Sequence, residues 1–107
     1  MNIKSLTIYC SSSDKLTSDY YNLSNELGCY LASKSIKIIY GGGKSGMMGE
    51  ISKSSYSSGG KVVGVIPKFL ATRDIINTNI TKTILVKDMY ERKKKLFKMG
   101  DGFLIVP

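Results

Sequence analysis

Residues Ile36 to Tyr40 form a compact, β-rich apolar run that opens directly into Gly41-Gly42-Gly43-Lys44-Ser45-Gly46, after which Met47, Met48 and Ile51 take up helical spacing. A strand that ends in a glycine loop and continues as a helix is half of a βαβ unit, and it commits the chain to a parallel α/β layer architecture. The remaining segments fit that frame. Ile3 to Tyr9 predicts a first strand ending at the hydroxyl cluster Cys10-Ser11-Ser12-Ser13. From Thr17 to Ser35, Tyr20, Tyr21, Leu23, Leu27, Tyr30 and Leu31 recur at three- and four-residue steps and predict an amphipathic helix with Thr17 or Ser18 as N-cap. The helix that begins at Met47 ends at Gly59-Gly60, and Val62 to Ile66 is a third strand closed by Pro67. Residues 68–81 read as a polar connection, Ile84 to Val86 as a short strand, Met89 to Met99 as a third helix and Gly102 to Val106 as the last strand.

The fold class expected is therefore α/β, a Rossmann-like parallel sheet with helices on both faces. All 107 residues read as one Rossmann-like nucleotide-binding domain, with no internal repeat, linker or low-complexity tract. Strands of this kind gather ligands at their carboxyl ends, so Cys10 to Ser13, Gly41 to Gly46 and the end of the last strand are expected at one edge.

Composition narrows the chemistry. With 42% hydrophobic and 22% charged residues and only 2 Pro against 11 Gly, collagen-like and disordered classes are excluded. No apolar run reaches the 18 or so residues of a membrane span and the N-terminus does not read as a signal peptide, so a cytoplasmic protein is expected. Histidine is absent, and Cys10 and Cys29 lack metal-ligand or C-x-x-C spacing, so no metal site or His-dependent catalysis is expected. With no His to activate it, Cys10 reads as a small buried residue rather than a nucleophile. The formal charge is +8, and seven of the sixteen basic residues lie between Lys82 and Lys98. That run reads mainly as a solvated helix face; a nucleic-acid interface would need aromatic residues interleaved with the cations, and they are missing.

The glycine loop matches G-x-G-x-x-G at Gly41, Gly43 and Gly46, a pattern that turns the chain tightly and aims helix-start N–H groups at an anion. A dinucleotide site would carry an acidic residue at the end of the next strand, which here is Gly64-Val65-Ile66-Pro67. Gly43-Lys44-Ser45 is not a P-loop either, because the glycine required five residues earlier is Ile38. Two readings remain, a monophosphate or single anion at the helix N-terminus and a purely structural tight turn. Met47 and Met48 read as core or subunit-contact residues, although a methionine beside a purine or prenyl group is chemically reasonable.

Taken in order and spacing, Cys10-Ser11-Ser12-Ser13, Tyr40-Gly41-Gly42-Gly43 with Gly46-Met47-Met48-Gly49, Gly59-Gly60, Gly64-Val65-Ile66-Pro67, Met89-Tyr90-Glu91-Arg92-Lys93 and Asp101-Gly102-Phe103-Leu104 through Pro107 resemble the LONELY GUY (LOG) family. These are cytokinin riboside 5′-monophosphate phosphoribohydrolases, often mislabelled lysine decarboxylases. The resemblance implies hydrolysis of the N-glycosidic bond of a cytokinin nucleotide or AMP to free base and ribose 5-phosphate, without metal or redox cofactor, by a homodimer or larger homo-oligomer. It implies a catalytic role for Arg92 and substrate contacts from Lys93 and from Asp74, which stands where the family usually has Glu. Ser11, in place of a glycine after the cysteine, and Ser12, Gly42, Gly43, Gly46 and Met47 are the further substrate-binding candidates. The family continues from this proline into P-G-G-x-G-T-x-x-E, whose glycines and Thr hold the 5′-phosphate and whose Glu is the second catalytic residue. The 107-residue chain supplies only Pro107 of that motif, so the resemblance implies an N-terminal part of a longer domain, incomplete at its C-terminus and inactive by itself. The rival expectation is a non-catalytic Rossmann-like nucleotide-binding module.

Overall fold

Alternating apolar strands and helices give the layered arrangement expected of them. The structure, a computed structural model, describes residues 3–10, 17–73 and 75–106. Its elements are β1 (Ser5–Tyr9), α1 (Ser18–Ser33), β2 (Lys37–Tyr40), α2 (Gly46–Ser57), β3 (Val62–Pro67), β4 (Lys82–Val86), α3 (Met89–Met99) and β5 (Gly102–Ile105), with a short 3₁₀ turn at Lys68–Leu70. The five strands form one sheet in the order β4-β3-β2-β1-β5, and every pairing is parallel. Strand order reverses at β1, which has β2 on one side and β5 on the other; such a switch point opens a crevice at the carboxyl ends.

The two-residue period of the strands sends alternate side chains to opposite layers. Ile8, Ile38, Tyr40 and Val62 pack with Leu31 of α1 and Met48 and Ile51 of α2. Ile39, Val63, Val65 and Val86 face the other way and pack with Leu96 of α3. Burying both faces explains why β2 and β3 are almost continuously apolar.

One helix departs from expectation. The repeat of large residues in α1 suggests that they face the core, yet Tyr20, Leu23 and Tyr30 are exposed while Ser24, Gly28 and Leu31 are buried. The reason is the close approach of α2, whose Ser52, Ser54 and Ser55 are also buried and leave room only for small partners. Two of these buried hydroxyls find acceptors on their own helices: Ser24 donates to the Tyr20 carbonyl (2.7 Å) and Ser54 to that of Ile51 (3.1 Å).

On the other face, β1 turns hydroxyls rather than hydrocarbons toward the end of α3. Thr7 donates to the Leu96 carbonyl (2.6 Å) and Ser5 to that of Met99 (3.1 Å), satisfying acceptors that the last helical turn leaves open. At the opposite end of α3, Asp88 accepts the Glu91 N–H (2.9 Å) as N-cap. Among the described residues, no helix is long and apolar enough to cross a membrane.

Candidate active site

The carboxyl ends of β1, β2 and β3 open into a cavity of about 390 Å³, bounded by Tyr9 and Cys10 after β1, Gly41 and Gly43 after β2, and Arg92 of α3. The end of β5 lies beside it, with Ile105 in register with Tyr9 and the Val106 N–H bonded to the Tyr9 carbonyl (2.9 Å). The glycine loop and the end of the last strand thus share the predicted edge. Pro107 lies outside the described residues, as do the candidate contacts Ser11, Ser12 and Asp74.

Arg92 reaches the cavity from the first turns of α3, where helical geometry points it at the sheet while Lys94, Lys95 and Lys98 face solvent. Its Nε donates to the Val65 carbonyl (3.0 Å) and its Nη2 to the Gly41 carbonyl (2.7 Å), so the guanidinium bridges the ends of β3 and β2. Nη1 faces the Met89 sulfur at 3.8 Å. Partial burial lowers the Arg92 pKa from its ordinary value by desolvation, and an arginine still carries its charge at neutral pH. Lys93, exposed, also lines the cavity.

The glycine loop is tightly held. Gly42 adopts φ +84°, a left-handed conformation that suits glycine and lets the chain turn from β2 toward α2. The connection between β3 and β4 runs back over it: Gly43 and Ile76 form an antiparallel bridge, the Lys44 N–H donates to the Ile75 carbonyl (3.1 Å), and the Lys44 Nζ donates to the Arg73 carbonyl (3.0 Å). Lys44, the residue that suggests a phosphate lysine, is therefore turned outward onto this strap.

The other candidates divide by depth. Gly43 lies on the cavity wall, whereas Gly42 and Gly46 are buried behind it. Met47 is completely buried, and it is Met48, one residue on, that reaches the wall. The helix begins at Gly46, and its first turn drives Met47 into the interior. Cys10 is half-buried and desolvation raises its thiol pKa to about 11, which keeps it protonated and a poor nucleophile. No carboxylate lines the cavity among the described residues.

A family described as "Possible lysine decarboxylase" matches residues 48–107. The chain belongs to this family. Its similar relatives carry the name that the motifs suggested: a cytokinin riboside 5′-monophosphate phosphoribohydrolase of Arabidopsis thaliana is 38% identical over 104 residues, 97% of this chain and 49% of that protein. One of the same name from Rhodococcoides fascians is 33% identical over 105 residues, 97% of this chain and 53% of that protein. The chain thus spans about half the length of the curated relatives it matches. Among solved structures, the molybdenum cofactor carrier protein of Chlamydomonas reinhardtii superposes with a TM-score of 0.79 at 19% identity, covering 98% of this chain and 63% of that one. The molybdenum cofactor binding protein of Rippkaea orientalis gives 0.78 at 14% identity, covering 98% and 63%. At these identities the likeness bears on the fold alone.

Sequence reasoning missed the residues that build the loop from behind. Asn77 is buried, its side chain donates to the Ser52 hydroxyl (3.1 Å) and its backbone N–H to the Gly42 carbonyl (2.9 Å). The only signal was an Asn-rich stretch, Asn77-Thr78-Asn79, inside the polar connection, and that is also how an ordinary surface turn reads.

Proposed function

We propose that the protein is a phosphoribohydrolase, and that this chain carries the part of its active site that receives a cytokinin riboside 5′-monophosphate or AMP. The observation that supports this most is the convergence of Arg92, Lys93 and the glycine loop on one cavity at the switch point of a parallel sheet, in a chain whose relatives bear that name. In this reading the helix start after the glycine loop and Lys93 attract the 5′-phosphate together with the glycines and Thr of the P-G-G-x-G-T motif implied by the family resemblance. Ile8, Met48 and Met89 offer an apolar wall for the purine and any prenyl substituent. Ser11, Ser12 and Asp74 complete the proposed contacts.

The reaction breaks the C1′–N9 bond. The bonding pair stays on the base, which takes up a proton, while a water oxygen bonds to C1′ and its proton is accepted by a carboxylate. Positive charge develops on the sugar, and a nearby carboxylate stabilises it. Since no described carboxylate lines the cavity, that group is assigned to Asp74 or to the Glu of the P-G-G-x-G-T-x-x-E motif implied by the family resemblance. Arg92, fixed by two carbonyls, keeps the loop and the substrate side of the cavity in register and adds fixed positive charge for the phosphate or the carboxylate. Assembly as a homo-oligomer belongs to the same proposal and is supported by the exposed apolar stripe of Tyr20, Leu23 and Tyr30 on α1.

Release of adenine from AMP, and of the free base from a prenylated adenosine 5′-monophosphate, by the protein at its natural length tests this reading. Arg92→Ala should lower turnover by about 10²–10³-fold. Nucleotide binding without base release would instead support the non-catalytic binding module, a reading favoured by the absence of a described carboxylate from the cavity.

A further inference from the structure

Three successive carbonyls of the glycine loop are each taken by a donor from a different part of the chain. Gly41 accepts from the Arg92 Nη2 (2.7 Å), Gly42 from the Asn77 N–H (2.9 Å) and Gly43 from the Tyr40 hydroxyl (2.8 Å). A trans peptide holds its N–H opposite its carbonyl, so capping the carbonyls of residues 41 and 42 fixes the directions of the N–H groups of Gly42 and Gly43 as well. The loop's capacity to meet an anion is thus set by groups that line it from behind. Gly41 itself leaves the room that Arg92 needs: a Cβ there would run into the guanidinium.

Tyr40 is the member of this set with no evident structural need for a hydroxyl. Its ring lies in the apolar layer among Ile38, Met48 and Ile51, where a phenylalanine would fit equally well. The side chain is 1% exposed, yet its hydroxyl donates to the Gly43 carbonyl of the loop, close to the buried Asn77–Ser52 hydrogen bond, while burial raises its pKa and keeps it protonated as a donor. A buried hydroxyl is retained in such a layer at a desolvation cost unless its partners use it.

We infer that Tyr40 is a positioning residue for the anion-binding loop, acting through the Gly43 carbonyl with Ser52 and Asn77 as its supports. The inference rests on the reading that this loop receives the 5′-phosphate. Tyr40→Phe removes the one hydroxyl and keeps the ring. Because the loop holds the phosphate equally in ground and transition states, the KM for AMP should rise about two- to tenfold with kcat nearly unchanged.

Amide hydrogen exchange reports the loop without any ligand. In Tyr40→Phe the Lys44 amide, bonded to the Ile75 carbonyl, should exchange faster relative to amides of β2 and β3. Ser52→Ala, which removes a support without altering the loop or the tyrosine, should give a smaller change in the same direction and serves if Tyr40→Phe fails to fold. Loop exchange that rises only in proportion to a general loss of stability, with KM unchanged, would overturn the inference by reducing Tyr40 to a packing residue. Faster loop exchange in a protein whose wild type ignores AMP would uphold the positioning role and overturn the proposed function instead.

Discussion

The two sides of the crevice are built to different standards. On the β2–α2 side, Tyr40 is 1% and Asn77 7% exposed, the loop carbonyls are capped, and the strap from the β3–β4 connection closes over the loop. On the β1–β5 side, Phe97 is 67% and Ile105 78% exposed, and Tyr9, Phe103 and Phe97 form a chain of ring contacts with centroids 6.2 and 5.4 Å apart that lies open to solvent. One half holds its geometry through buried polar bonds and core packing, the other through partly covered hydrocarbon. The glycine-loop half can therefore be rigid in the absence of ligand, while the β1–β5 half leaves apolar surface free to meet something else.

Substitutions on the two sides should separate accordingly. The largest effect is expected at Ile51, fully buried beneath the glycine-loop helix: Ile51→Ala should cost about 2–5 kcal/mol in chemical denaturation, through lost burial and the cavity left behind. Phe103→Ala, on the open side, removes a half-exposed ring and its contacts with Tyr9 and Phe97, for which about 1 kcal/mol is expected. Equal losses at the two sites would erase the distinction between them.

The smallest effect concerns Asp101, which ties the starts of β1 and β5 by accepting the N–H groups of Lys4 (2.8 Å) and Ser5 (3.1 Å). The Lys4 bond is the main reason its pKa lies below the ordinary carboxylate range. A depressed folded-state pKa means that the stabilising contribution is full above about pH 4, the unfolded value, and is lost as pH falls through the lower folded value. Asp101→Asn should thus be slightly less stable than wild type at pH 7, and the two should converge in acid; a constant difference from pH 7 to pH 2 would count against the carboxylate's charge as the cause.

Much of this architecture was legible because its signals are local. The apolar runs of β2 and β3, the glycine loop and the spacing in Met89–Met99 each report their own backbone, and the structure places strands, loop and α3 within a residue or two of where they are expected. The inward face of α1 was not legible, because large residues mark the buried side of a helix only when its neighbour leaves room for them, and α2 presents buried serines instead. Arg92 could be singled out from its motif, but its attachment to Val65 and Gly41 depends on β2 and β3 ending side by side. The strap was invisible for a similar reason: its bridge from Gly43 to Ile76 joins two segments that each read as irregular.

The placement of β5 next to β1 also has a bearing on how the molecule comes to exist. Lys4 and Asp101 are 97 positions apart, and in an all-parallel sheet no hairpin can bring such partners together early. As the chain leaves the ribosome, β1 can take β2 as a neighbour soon after residue 40, but its other flank waits until β5 has emerged, about 60 residues later. Over that interval the first strand is an unprotected template for a wrong partner, and the closing of that flank is a slow event whose rate is set by topology more than by the strength of any one contact.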